Sequence, residues 1–153
     1  MMDYNRKKVL AVASFGGHWR QLMYLKDAFA GLDVSYLTTV GNEPTAPHVE
    51  KYYTVSDCNK NTPIKTIKAL FQIALLVFKY RPDIVITTGA APGLLAIGAA
   101  RLIGAKTIWV DSIANSKQLS LCGKLSKYIA HKTLSQWEPV ARDNGVLYEG
   151  SVL

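Results

Sequence analysis

Cysteine is scarce in this 153-residue chain: Cys58 and Cys122 stand far apart, with no C-x-x-C pair and no Cys/His spacing of the metal-ligand type. That excludes a disulfide framework and a zinc site, and a reducing compartment fits best. Acidic residues are the next shortage. Eleven Asp and Glu face eighteen Lys and Arg, a net charge of +7 that favours partners carrying phosphate or an anionic membrane surface. No acid lies between Asp57 and Asp83, a stretch holding Lys60, Lys65, Lys68, Lys79 and Arg81. None lies between Asp111 and Glu138, where Lys117, Lys124, Lys127 and Lys132 fall. The apolar stretch that follows Arg6, Lys7 and Lys8 ends at Ser14 with no small-residue cleavage site, so no signal peptide is read and a cytoplasmic chain is expected. No apolar run is long enough to span a bilayer. The positive charge has no RNA- or DNA-binding motif around it, so nucleic acid is not the expected partner. A G-x-S-x-G elbow is missing, which removes the usual Ser-His-Asp hydrolase. Repeats and low-complexity segments are absent too.

What remains is ordinary globular composition, 49% hydrophobic and 19% charged, at the length of one domain, taken as 1–153. Lys8 to Ser14 is a β-branched apolar run. Phe15-Gly16-Gly17 punctuates it, and Trp19, Leu22, Leu25 and Phe29 then recur at helical spacing over His18 to Ala30. Strands are expected at Val34 to Val40 and Tyr52 to Val55, with a loop at Pro44 to Pro47 between them. Pro63 opens a helix that Arg81-Pro82 stops after Tyr80. That helix is apolar nearly all round, with a polar stripe of Lys65, Lys68 and Gln72. It reads first as a buried crossover helix and second as one lying on lipid or a partner. Further strands are expected at Asp83 to Thr87, Lys106 to Val110, Thr133 to Ser135 and Val146 to Tyr148. Helices are expected at Leu94 to Ile103, Gly123 to Ala130 and Pro139 to Asn144. The alternation predicts a doubly wound, Rossmann-like α/β domain with a parallel sheet.

In such a sheet ligands bind beyond the carboxyl ends of the strands. Three turns lie there: Ser14 to His18, Thr87 to Gly93, and Asp111 to Asn115. Gly16-Gly17 opens a helix whose free N–H groups and dipole suit a phosphate or pyrophosphate, although neither nucleotide-loop fingerprint is present. A plain tight turn is the competing reading. His18, at the start of that helix, is a candidate proton acceptor; a lone histidine is otherwise a structural residue. Asp111 is a carboxylate at the rim, or else a turn cap. His48 and His131 carry no such context.

The ordered segments SFGGHWRQL, TTGAAPG, IWVDSIANSKQLSLCGKLSKYIAHKTLSQWEPV and YEGSVL together resemble the Alg14-like glycosyltransferase subunits and their capsule and exopolysaccharide relatives of the PssD and CpsF kind. More distantly the chain is similar to the N-terminal half of MurG. The resemblance implies the acceptor half of a GT-B enzyme split into two polypeptides, with an Alg13-like subunit binding the UDP-sugar to complete a heterodimer. It implies an inverting hexosyl transfer to a polyprenyl-diphosphate-linked glycan at the cytoplasmic face of the membrane, with peripheral attachment and no metal or cofactor. By position it places Ser14, Gly16, Gly17, Gly89, Gly93, Ser112 and Asn115 at the acceptor pyrophosphate and His18 and Asp111 in catalysis, Asp111 standing where relatives often have glutamate. Ser120, Gly123 and Lys124 fall near the inter-subunit cleft, with Val152 and Leu153 beside the partner. Gln136-Trp137 matches a late pair in which Trp137 reads as packing. Two other readings stay open: a chain that only anchors and activates its partner, and a free-standing nucleotide-binding module.

Overall fold

The computed structural model describes residues 6–39, 49, 51–58 and 61–153. Val40, the Pro44 to Pro47 loop, His48 and Lys60 lie outside the described residues. Six strands, β1 (Lys8–Val12), β2 (Asp33–Thr39), β3 (Tyr52–Val55), β4 (Ile84–Thr87), β5 (Lys106–Val110) and β6 (Lys132–Leu134), form one sheet in the order β3-β2-β1-β4-β5-β6. All pairs are parallel. This is the doubly wound order, and the chain reverses direction across the sheet between β1 and β4.

The helices are α1 (Gly17–Tyr24), α2 (Pro63–Tyr80), α3 (Ala90–Leu102), α4 (Leu121–Ile129) and α5 (Glu138–Asn144). Right-handed crossovers sort them between the faces. On one face Ile73 and Val77 of α2, Ala96, Ile97 and Ala100 of α3, and Cys122 and Ile129 of α4 pack with Leu10, Leu37, Val85 and Trp109 from the strands. On the other, Leu22 of α1 packs with Ala11, Ala13 and Tyr36, and Trp19 meets Tyr36 edge-on with ring centroids 5.7 Å apart. Strands buried on both faces read as unbroken apolar runs, which is why KVLAV and IVIT were legible.

Most boundaries shift by one or two residues, as when α4 begins at Leu121 rather than Gly123, and three differences are larger. The helix expected over His18 to Ala30 ends at Tyr24 and continues as a 3-10 turn, Lys26–Phe29. The helix expected from Leu94 begins at Ala90, because proline within the first turn loses no hydrogen bond and Gly89 caps it. The last strand, Val146 to Tyr148, is only a parallel bridge of Leu147 to Leu134, with Leu147 N–H donating to Thr133 O and Ser135 N–H to Leu147 O.

Helix α2 keeps its expected bounds but not its expected burial. Ala69, Ile73 and Val77 alone are buried, while Ile64 is 82% exposed, Phe71 66% and Leu75 67%. A helix laid on a sheet buries one stripe, and among the described residues no second layer covers α2, so the rest of its apolar surface stays open. Leu121, Leu125 and Tyr128 form a similar exposed stripe on α4. Helices α2, α3 and α4 contain no Asp or Glu at all, while carrying Lys65, Lys68, Lys79, Arg101, Lys124 and Lys127. Among the described residues no helix is long and apolar enough to cross a membrane.

Candidate functional site

The turns after β1 and β4 meet where the sheet changes winding direction. Gly16 precedes α1 at φ +97, a conformation open to glycine and strained for other residues, and no side chain caps the helix. A Cβ on Gly16 or Gly17 would meet nothing within 4 Å, so this loop faces open space. Gly89 precedes α3 at φ +125, again without a side-chain cap. Two helix N-termini without side-chain caps therefore stand side by side, each with a positive dipole end that suits an anion, although the Trp19 N–H is taken by Ser14 O and the Gly89 N–H by Thr87 Oγ1.

A reciprocal clamp joins the two turns. His18 Nδ1 lies 2.9 Å from the Thr88 carbonyl oxygen, and the Thr88 hydroxyl donates to the His18 carbonyl at 2.6 Å. Gly89 lies under the imidazole, where an added Cβ would sit 2.8 Å from Nδ1. Ser14 closes the first turn, its carbonyl accepting from Trp19 N–H at 3.1 Å. Thr88 gave no signal in sequence beyond its place beside a glycine.

Gly93 belongs elsewhere. It lies inside the first turn of α3, buried, and a Cβ there would fall 2.1 Å from Thr87 Oγ1. Its lack of a side chain lets α3 lie close on β4, so packing rather than ligand contact accounts for it.

Asp111 is 1% exposed and fully engaged. Oδ1 accepts from Trp109 Nε1 at 3.0 Å and from Ser120 Oγ at 2.6 Å. Oδ2 accepts from Ser120 N–H at 2.9 Å and Asn115 Nδ2 at 3.1 Å. A carboxylate offers about four lone-pair sites, and all are taken by protein, which leaves none for a substrate hydroxyl. The arrangement ties the β5–α4 loop together. Ser120 also caps α4, its Oγ accepting from Gly123 N–H at 2.9 Å. Gly123 is buried against Asp111, where a Cβ would come 2.6 Å from Oδ1. Asn115 and Gly123, placed by resemblance at the pyrophosphate and the cleft, therefore serve this loop internally. Burial pushes the Cys122 thiol up, and the nearby Asp111 charge adds to it.

A second buried network, which sequence reasoning missed, connects these parts. Gln21, one turn past His18, donates Nε2 to Ser112 Oγ at 3.0 Å and accepts from Ile113 N–H at 3.0 Å. Gln136 Nε2 donates to Gln21 Oε1 at 2.8 Å and to the Asp111 carbonyl at 2.9 Å. Its Oε1 accepts from Val152 N–H at 3.0 Å, which seats the C-terminal segment against the rim. Ser112 is thus buried in the network, Val152 half-buried, Leu153 76% exposed and Lys124 exposed, its Nζ donating to Gln118 Oε1 at 3.2 Å. Trp137 packs in part: its Nε1 donates to Ile113 O at 2.7 Å while the ring stays partly exposed. Periodicity cannot reveal such partners, because 115 residues separate Gln136 from Gln21.

Among the described residues no group of three or more His, Cys, Asp or Glu side chains is placed to hold a metal ion.

A parallel sheet in this order, with glycine turns at the switch point, defines a Rossmann-like domain, the kind of fold that makes up each half of a GT-B enzyme. The model of the family of oligosaccharide biosynthesis proteins like Alg14 matches residues 34–151, and the chain belongs to that family. No curated relative matches it in sequence. Its fold is similar to MurG of Acinetobacter baumannii, with 17% identity and a TM-score of 0.67 over 88% of this chain and 42% of that one. It is similar also to the UDP-GlcNAc 2-epimerase of Methanocaldococcus jannaschii, at 14% identity and a TM-score of 0.74 over 94% and 45%. The Neisseria meningitidis UDP-GlcNAc 2-epimerase bound to UDP-GlcNAc gives 12% and 0.71 over 95% and 47%. The chain spans less than half the length of each of these structures. Family and fold together mark it as glycosyltransferase-related.

Proposed function

We propose that residues 1–153 form the acceptor-binding and anchoring domain of a two-chain, inverting UDP-sugar hexosyltransferase. Its acceptor is a polyprenyl-diphosphate-linked saccharide, and an Alg13-like partner brings the UDP-sugar. The observation that carries this reading is the convergence of two glycine-led, uncapped helix N-termini on the switch point, with His18 clamped between them. Backbone N–H groups that open α1 after Gly16 and α3 after Gly89 hold the diphosphate, and the nearby Arg20 adds charge.

His18 takes the proton of the acceptor hydroxyl as its oxygen bonds to the sugar anomeric carbon and the bond from that carbon to UDP breaks with inversion. Asp111 acts as a positioning residue that fixes the loop over β5. Val152, Leu153 and Lys124 face the partner. The acid-free layer of α2, α3 and α4, with its open apolar stripes, lies on the anionic cytoplasmic leaflet and brings the rim to the lipid head group.

The test is reconstitution with the partner, labelled UDP-sugars and a polyprenyl-diphosphate saccharide. Transfer by the pair and by neither chain alone is the expected result. His18→Ala should lower kcat by about 10²- to 10⁴-fold while the pair still co-purifies. Wild-type turnover in His18→Ala would leave the chain as an anchor and activator only. Saturable UDP binding by the isolated chain, with no transfer from the pair, would instead establish a nucleotide-binding module.

A further inference from the structure

Resting on that reading, we infer that Thr88 and Gly89 are positioning residues that hold His18 in a single tautomer, with the proton on Nδ1 and the lone pair on Nε2. A carbonyl oxygen can only accept, so the 2.9 Å contact between His18 Nδ1 and Thr88 O exists as a hydrogen bond only when Nδ1 carries its proton. The neutral ring then has one basic atom, Nε2, which no hydrogen bond among the described residues engages. The imidazolium also keeps a proton on Nδ1, so the bond to Thr88 survives proton uptake. Nε2 alone gains and loses the catalytic proton: it takes the acceptor hydroxyl's proton while the glycosidic C–O bond forms, and releases it to water between turnovers.

The rest of the clamp serves this geometry. The Thr88 hydroxyl donates to the His18 carbonyl at 2.6 Å and ties the first turn of α1 to the end of β4. His18 is thereby held by two bonds, one at its ring and one at its backbone carbonyl, to one residue 70 positions away, just past the end of the neighbouring strand β4. Gly89 makes the slot. A Cβ at that position would stand 2.8 Å from Nδ1 and 2.9 Å from Cε1, so any other residue would push the ring off the carbonyl. Such an orienting contact is what a general base needs from its surroundings, and in triads a carboxylate supplies it. Here the carboxylate at the rim, Asp111, is committed elsewhere, and a backbone carbonyl takes that part.

The experiment is a long-range proton–nitrogen correlation of the imidazoles in the uniformly labelled full chain, recorded with the rings neutral. His18→Gln identifies the His18 signals by their loss. The expected pattern is a protonated Nδ1 and an unprotonated Nε2; a protonated Nε2, or a mixture of the two forms, overturns the inference. Thr88→Val keeps the carbonyl but loses the hydroxyl that ties the His18 backbone to it, so it should loosen the Nδ1 contact, admit the other tautomer and lower kcat of the reconstituted pair by about ten- to a hundredfold with little change in KM for the UDP-sugar, as misplacement of a reacting group does. Thr88→Ser, which keeps the hydroxyl, should restore both. Unchanged tautomer and unchanged kcat in Thr88→Val would remove the Thr88 hydroxyl from the role. An Nδ1-protonated ring in a chain whose His18→Gln variant transfers sugar at the wild-type rate would defeat the catalytic reading and leave the tautomer assignment intact, so the two failures are distinguishable.

Discussion

The hydroxyl of Ser120 donates to Oδ1 of Asp111 across 2.6 Å, and the backbone N–H of the same serine donates to Oδ2 at 2.9 Å. A bidentate grip of one residue on a buried carboxylate closes the loop between β5 and α4, with Trp109 and Asn115 filling the other two positions. Asp111→Asn sets an amide NH2 against donors whichever way it turns. It should destabilise the chain by about 2–3 kcal/mol, read as a lower urea midpoint at unchanged slope. An unchanged midpoint together with a slower reconstituted enzyme would return Asp111 to the base role expected from sequence.

The glycines divide into two kinds. Gly93→Ala places a methyl 2.1 Å from Thr87 Oγ1 and Gly123→Ala one 2.6 Å from Asp111 Oδ1, so each should cost about 1–3 kcal/mol through forced repacking. Gly17→Ala meets open space and should leave the melting temperature unchanged or raise it slightly. Under the proposed function its effect belongs in acceptor binding, as a raised KM for the lipid-linked substrate. Calorimetry of the three variants decides the division; equal destabilisation by all three would contradict it.

The open face of α2 makes a prediction about vesicles. Polar substitution of Phe71 and Leu75, exposed as they are, should leave folding intact and reduce sedimentation with anionic vesicles. Lysines near an anionic surface each contribute about 1 kcal/mol, comparable to the partial burial of one such apolar side chain. Binding should therefore weaken with salt without vanishing. Equal binding to neutral and anionic vesicles would remove the charge part of the argument.

His131 governs a pH effect at the opposite end of the sheet. Its Nδ1 accepts from Thr107 N–H at 3.1 Å, so that nitrogen must be unprotonated, and Arg101 stands against the ring. Loss of water on the packed side, then the Arg101 and Lys106 charges, hold its pKa below the ordinary 6.5. The unfolded chain then binds the proton more readily than the folded one. The stability it contributes is present above pH 6.5 and is lost as pH falls through the lowered folded value. Melting temperatures from pH 7.5 downward should fall less steeply in His131→Gln than in the wild type, and parallel curves would dismiss the effect.

Much of this was legible beforehand because it is written locally. The strands show as apolar runs, the bounds of α2 follow from Pro63 and Arg81-Pro82, and alternation with helices at most steps of the chain favours parallel pairing. The Gly16-Gly17 turn and His18 could be placed at the rim on the same basis. Thr88, Gln21 and Gln136 could not, since each acts through a partner far along the chain, and polar residues in a network share no period. Asp111 was located correctly at the end of β5. Whether its oxygens face a substrate or a loop depends on Ser120, which sequence places nine residues away and folding places in contact.

The sequence by itself determined the layered α/β class, the strand ends where the candidate site lies and the surplus of positive charge, because backbone periodicity and composition are properties of neighbours in the chain. The tertiary structure decided the order of the strands, the burial of Asp111 and Gly93, the apolar face that α2 leaves open and the pairing of His18 with Thr88. Those depend on which surfaces meet across the sheet, and contacts between residues distant in sequence are set by packing and by the demand that every buried polar group find a partner.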